Sequence, residues 1–357
     1  MKRRTFLRLT GAAAVLGLPW LAWAKQRSTS ESLATPSPMD RAHQPPGIGE
    51  RIAVVKVIGV GGAGGNAVEH MIRERVRGIE FICCNTDAQA LARSHAPVKL
   101  QLGCGLGAGG QPGIAKALAR HDRERIAESL AGADMVFIAA GMGGGTGTGV
   151  SPIVAQVARE LGILSIAVVS KPFAYEGKRR HLAEDGIAEL EKQADALIVM
   201  SNDKLFDALG DEISMLDAFR ASDNAFKDTV TGLADMLNTP GMVNIDFEDL
   251  RGALAHGGRQ AAMGSATARG FERARGAAEA ALTFPLMDSI ETGELHNVLV
   301  SIVASHSMTL GDYKQAMHAV RRRTAQEAHI FCSATFDDSM EDRLRVTIVA
   351  LGQSDVA

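Results

Sequence analysis

The sequence predicts an α/β protein in two parts: a Rossmann-like parallel-sheet domain, a long central helix, and a smaller mixed-sheet α+β domain. Three observations carry this. Short apolar runs alternate with helical segments over the first half, two of those runs end in glycine-rich turns, and strand candidates cluster near the end of the chain. Strands that are apolar on both faces and separated by helices pair in parallel, with both sheet faces covered.

The first such strand is Ile52-Ala53-Val54-Val55-Lys56-Val57-Ile58, with a helix expected over 67–77. Glu80-Phe81-Ile82-Cys83-Cys84 and Asp134-Met135-Val136-Phe137-Ile138-Ala139-Ala140 read as further strands, as do 164–169 and 196–200. Residues 214–238 read as one long helix, with Phe219, Phe226, Val230, Leu233 and Leu237 near one face. Thr239-Pro240-Gly241 stops it. Helices near 246–256 and 271–281 then precede strands at 297–304, 329–334 and 343–351. The expected domains are a nucleotide-binding domain over 51–213, the central helix over 214–240, an activation domain over 241–352 and a short tail over 353–357.

Composition narrows the function. The 357 residues are 46% hydrophobic and 22% charged, which excludes a mostly disordered chain. A net charge of -3 gives no support for nucleic-acid binding. The four cysteines form no C-x-x-C pair and read as buried thiols, and no histidine spacing marks a metal site. Cys83 and Cys84 are adjacent in a strand and point to opposite faces.

The N-terminus has a different character. Residues 1–24 hold Lys2, Arg3, Arg4 and Arg8, no acid, an uncharged and mostly apolar run over 9–24, and both tryptophans of the chain, Trp20 and Trp23. This is a signal-like or membrane-tether segment, and Arg3-Arg4-Thr5-Phe6-Leu7-Arg8 resembles a twin-arginine signal. A mis-called start is the plain alternative. Residues 25–50, with four prolines among many Ser and Thr, read as a flexible linker.

Of 38 glycines, 17 fall in three short stretches. Gly59-Val60-Gly61-Gly62-Ala63-Gly64-Gly65-Asn66 contains G-x-G-x-x-G between a strand and a helix. Glycine lets backbone N–H groups approach phosphate, and a helix N-terminus favours negative charge. Alone, the motif also fits a dinucleotide oxidoreductase with Glu80 at the ribose, or merely a tight turn. Gly141-Met142-Gly143-Gly144-Gly145-Thr146-Gly147-Thr148-Gly149 is a second cradle after another strand, and its threonine hydroxyls add donors. Two cradles suit a triphosphate gripped from two sides. No G-x-x-x-x-G-K-[ST] is present, so the P-loop solution is absent.

Gly143-Gly144-Gly145-Thr146-Gly147-Thr148-Gly149 resembles the signature loop of the tubulin/FtsZ GTPase family. Asn85-Thr86-Asp87-Ala88-Gln89-Ala90-Leu91, Lys171-Pro172-Phe173, Glu176-Gly177, Asn202-Asp203-Lys204-Leu205 and Asn244-Ile245-Asp246-Phe247-Glu248-Asp249 agree in order and spacing. The resemblance covers about residues 50–352.

It implies a self-polymerising GTPase of cell division. Gly62, Ala63, Gly64, Gly65 and Asn66, with Gly145, Thr146 and Gly147, would hold the phosphates, and Asn66 would also lie near the base. Glu176 and Arg180 would contact ribose and phosphate. Phe219 would pack on guanine, with core packing as its plain alternative, while Asp223 and Asn202 would accept from the base edge. Mg2+ is expected to accompany GTP. Asp246 and Asp249, with Asn244, would enter the site of the next subunit and polarise the attacking water. Helix capping is the competing reading of Asp246, and on sequence it accounts for one carboxylate rather than two.

A site split between front and back faces implies a head-to-tail filament. The loop at 103–113 reads as shorter than the family's, which questions nucleotide-dependent switching. The family's C-terminal tail is missing from the sequence. These departures suggest an alternative, a non-catalytic paralogue that co-assembles with or regulates a full-length FtsZ relative. They also suggest membrane attachment through residues 1–24. The expected location is cytoplasmic, at the division site on the inner membrane face, with twin-arginine export as the alternative.

Overall fold

The computed structural model describes residues 53–352, apart from 211, 239–240, 257–258, 285–286 and 288–294. The readings of residues 1–50 as signal and linker, of 353–357 as a tail, and of Thr239 and Pro240 as a helix stop lie outside these residues.

The first half alternates as expected. In order it comprises β1 (Val55–Val60), α1 (Gly61–Arg73), β2 (Ile79–Asn85), α2 (Ala88–Ala92), β3 (Val98–Gln101), α3 (Pro112–His121) and α4 (Arg123–Leu130). It continues with β4 (Met135–Gly141), α5 (Thr146–Glu160), β5 (Leu164–Lys171), α6 (Lys178–Glu191), β6 (Ala196–Ser201) and α7 (Asn202–Leu209). Then comes the long helix α8 (Met215–Asn238), opened by Ser214, whose hydroxyl accepts from the Asp217 N–H at 3.1 Å. The second half comprises β7 (Gly241–Val243), α9 (Phe247–His256), β8 (Gln260–Arg269), α10 (Arg273–Leu282), β9 (Leu295–Ala304), α11 (Leu310–Arg321), β10 (Thr324–Phe336) and β11 (Arg343–Leu351).

The strands join in the order β3-β2-β1-β4-β5-β6-β8-β11-β9-β10-β7. The first six are all parallel, whereas β11 runs antiparallel to both β8 and β9. Two residue pairs, Leu197↔Gln260 and Ile198↔Ala261, connect the parallel array to the mixed one. The expected mixed sheet is therefore present but continuous with the first, and it includes β7 and β8 in addition to the three strands expected there. The apolar residues of each parallel strand divide between its two faces. Val57, Phe137 and Cys83 pack with α1, α8 and α9 on one side, while Ile58, Ile138 and Cys84 pack with α3, α5 and α6 on the other. A third core closes β9 and β11 against α10 and α11.

Three expectations need correction. Helix α1 begins at Gly61 rather than at residue 67, despite the low helix propensity of glycine. Its glycines let the helix lie directly on the sheet, because a Cβ on Gly64 would sit 2.0 Å from the Ala139 carbonyl oxygen. It also ends at Arg73 rather than at residue 77, as Arg75 takes a left-handed φ of 57°. Cys104 is exposed, unlike Cys83 and Cys84, because it lies in the glycine turn beyond β3 rather than in a strand.

Candidate functional site

A cavity of about 450 Å³ opens at the carboxyl ends of β1, β4, β5 and β6. This is where ligands collect on open parallel sheets, and the volume suits a small molecule. Gly62 and Ala63 follow β1, Gly141 ends β4 and Met142 follows it, Ser170 lies at the end of β5 and Pro172 just beyond it, and Asn202 follows β6. Gly144, Gly145, Thr146 and Gly147 form its floor, and Phe173, Tyr175, Glu176, Arg179, Met215 and Phe219 complete the lining.

One end of the cavity is built from two helix starts. Neither α1 nor α5 has a side-chain hydrogen bond at its N-cap or an acid in its first turn. Their uncapped first N–H groups and positive dipole ends therefore make this end suited to an anion. A Cβ on Gly62 or Gly144 would meet nothing within 4 Å, so each glycine leaves room that a side chain would fill. Gly64 and Gly65 serve otherwise: Gly64 is pressed on β4, and Gly65 faces Cys83 Sγ. The two threonines divide as well. Thr146 lines the cavity with its hydroxyl 2.7 Å from that of Thr86, whereas the Thr148 hydroxyl accepts from the Gly143 N–H at 2.8 Å. The middle glycine cluster does not line the cavity among the described residues but backs it. A Cβ on Gly145 would stand 3.0 Å from both Ala108 Cβ and Gln111 N.

The other end suits a flat, polar-edged ring. Phe219 is 50% exposed and meets Phe206 edge to face, with Phe206 tilted on Phe173 and Phe173 stacked on Tyr175 at 5.0 Å. A half-exposed phenyl at a cavity wall offers a face on which a flat ring could stack. Asn202 Oδ1 is buried at this wall with no hydrogen-bond partner. An orphan buried acceptor costs about 1–3 kcal/mol, so this carbonyl is set to receive a ligand N–H. Asp223 lies beyond the lining on α8, half-buried, and burial raises its carboxyl above the ordinary range against the opposing charges of His70 and Arg73.

Other expected residues sit elsewhere. Asn66 does not line the cavity. Arg180 pairs with Glu184 at 3.4 Å, and its neighbour Arg179 is the arginine of the lining, bonded to Glu176. Glu176 also accepts from the Phe173 N–H at 2.9 Å. Arg179, Tyr175 and Met215 were missed because sequence spacing does not tell which face of a turn meets the site. Glu80 opens β2 and pairs with Lys56 at 3.3 Å, at the opposite strand end from the cavity, so it is not the ribose acid of a dinucleotide enzyme.

Asp246, Asp249 and Asn244 are exposed and absent from this cavity. The Asp249 N–H donates to Asp246 Oδ1 at 2.7 Å, and the Asp246 N–H donates to Asp249 Oδ2 at 3.2 Å. This reciprocal capping box opens α9 and accounts for both carboxylates, which corrects the sequence argument that capping explains only one. Asn244 Oδ1 accepts from the Gly241 N–H at 2.7 Å, bridging the two ends of the short strand β7 that separates α8 from α9.

Residues 54–210 match the family described as Tubulin/FtsZ family, GTPase domain, and 259–354 match the FtsZ family, C-terminal domain. The cell division protein FtsZ of Coxiella burnetii is 48% identical over 305 residues, 84% of this chain and 79% of its own length. That of Pseudomonas aeruginosa is 46% identical over 305 residues, 84% of this chain and 77% of its own. The solved FtsZ dimer of M. jannaschii superposes with a TM-score of 0.78 at 33% identity, covering 88% of this chain and 92% of that one. CetZ2 from Haloferax volcanii shares the fold, with a TM-score of 0.70 at 21% identity over 85% of this chain and 94% of that one. By sequence, fold and cavity, the chain belongs to the tubulin/FtsZ family of GTPases.

Proposed function

We propose that this protein binds GTP in the cavity, polymerises head to tail as a cell-division protein, and hydrolyses GTP only where two subunits meet. Gly62, Ala63 and Gly144 to Gly147 would hold the triphosphate, Glu176 and Arg179 its middle, and Phe219, Asn202 and Asp223 the guanine. One observation carries the division of labour. Glu176 is the only carboxylate among the described residues that line the cavity, and it is already bonded to Arg179 and to backbone. The cavity therefore grips a nucleotide without a free base of its own to orient water. Asp246 and Asp249 supply exposed carboxylates on the other half of the molecule, which supports their use on a neighbour's GTP. Charge on the triphosphate would be met by helix N-termini, by Arg179 and by the Mg2+ expected to accompany GTP.

Mixing two variants tests this. Asp246→Asn keeps the cavity and loses the charge, whereas Asn202→Leu keeps the loop and weakens the nucleotide end. Each alone should hydrolyse GTP poorly, and their mixture should recover turnover at mixed junctions. No recovery at any ratio would contradict a shared site. The working place is the division site. The basic and apolar character of residues 1–24 supports a tether to the inner membrane face. Removing those residues should release the protein from the membrane fraction, and unchanged fractionation would end that reading.

A further inference from the structure

His70 is the buried histidine of the described residues, and nothing in the proposed chemistry uses it. It stands on α1 eight residues beyond Gly62, about 12 Å along the helix axis. Its Nε2 lies 2.8 Å from Asn224 Oδ1 on α8. An amide oxygen has no hydrogen to give, so the imidazole is the donor. Asn224 directly follows Asp223 and lies one and a half turns beyond Phe219. One hydrogen bond thus ties the helix that starts at the phosphate end to the helix that carries the base platform.

We propose that His70 and Asn224 form a positioning clamp that fixes the register of α8 against α1, and so sets the span between the phosphate cradle and the base-reading side chains. This rests on Phe219 and Asp223 contacting guanine. Beside this bond the two helices share an apolar core, with Ala67, Val68 and Met71 in one cluster with Phe226 and Val230. Apolar burial is non-directional and tolerates sliding, whereas a buried hydrogen bond is satisfied in one register only. Lys227 also reaches Asn224 Oδ1, at 3.4 Å, but from α8 itself, so it cannot tie α8 to α1. Charge at His70 and Arg73 additionally opposes the effect of burial on Asp223, favouring the ionised, acceptor-only carboxylate that guanine N–H donors require.

The test compares a ligand that spans both ends with one that touches only the phosphate end. Dissociation constants for GTP and for inorganic tripolyphosphate are measured on the full chain by calorimetry. His70→Leu and Asn224→Ala should each weaken GTP about tenfold, a typical effect of losing one buried hydrogen bond. The double variant should be no worse than the weaker single one, because both remove the same bond. His70→Gln, whose amide nitrogen reaches the place of Nε2, should recover GTP binding to within about threefold of the parent. Tripolyphosphate binding should stay unchanged throughout. GTP affinity preserved in His70→Leu and Asn224→Ala, equal losses for both ligands, or no recovery in His70→Gln would overturn the clamp. Should His70→Leu fail to fold, Asn224→Ala at its half-buried position carries the comparison. Asp223→Ala separates the two layers. If it leaves GTP binding intact, the base-reading role fails and the clamp with it. If it weakens GTP while the clamp variants do not, only the clamp fails.

Discussion

Gly62 and Gly64 stand two residues apart and predict opposite outcomes when each becomes alanine. Gly62 faces open space in the first turn of α1, so alanine there should raise helix stability by about 0.5–1 kcal/mol. The new methyl would occupy room left for phosphate, and GTP affinity should fall. Gly64 meets the Ala139 carbonyl, and backbone cannot yield, so alanine should cost about 1–3 kcal/mol or more in overpacking. Thermal melts with and without GTP would separate the two. Asp223 offers a second trade at this scale. Burial raises its carboxyl, so the folded chain holds that proton to higher pH than the unfolded chain. Between the ordinary carboxylate value and the raised one the native state binds more protons, and stability falls as pH rises through that window. Above that window the penalty is complete. Asp223→Asn should therefore melt higher than the parent above that window, lose that advantage below it, and bind GTP more weakly. A melt series across pH, paired with GTP titration, checks all three.

Among the elements, α9 gives the sharpest separation of structure from chemistry. Its capping box uses oxygen acceptors, not charge as such. Asparagine caps helices about as well as aspartate, so Asp246→Asn should change stability by only a few tenths of a kcal/mol. Asp246→Ala should cost about 1 kcal/mol. If the carboxylates polarise water on a neighbour, both variants should still bind GTP yet lose at least about a hundredfold in turnover, the scale of removing an electrostatic or positioning group. Turnover that tracks stability instead would make the pair a cap alone. The same scale shows what the sequence revealed. Strands with apolar runs on both faces, such as β4 and β5, were legible because nothing else fits a fully buried parallel strand. By contrast β8, Gln-Ala-Ala-Met-Gly-Ser-Ala-Thr-Ala-Arg, is small and partly polar, and its pairing with β11 along its whole length, and with β6 at its start, makes it a strand. The start of α1 was placed too late because local propensity argues against helical glycines, while contact with β4 requires them.

For the whole molecule, the two halves meet in one sheet through the two residue pairs of β6 and β8, and α8 runs between them. Both cradles were legible in the sequence, since each of those two glycine runs follows a buried strand, whereas the run behind them follows the mostly exposed β3, which the sequence did not reveal. Which residues share one cavity was not legible. Arg179 replaces Arg180 in the lining because a one-residue step on a helix turns a side chain by about 100°, and Asp223 stands back from it because four residues carry it about 6 Å farther along α8 than Phe219. The cavity holds the parts proposed to grip a nucleotide, and the exposed carboxylates Asp246 and Asp249 lie at the start of α9. Hydrolysis should therefore depend on assembly. The most direct test is GTP turnover per subunit as a function of protein concentration. Turnover should be near zero in dilute solution and rise cooperatively above a threshold. A turnover number that stays constant on dilution, or no turnover at any concentration, would contradict a site completed by the next subunit.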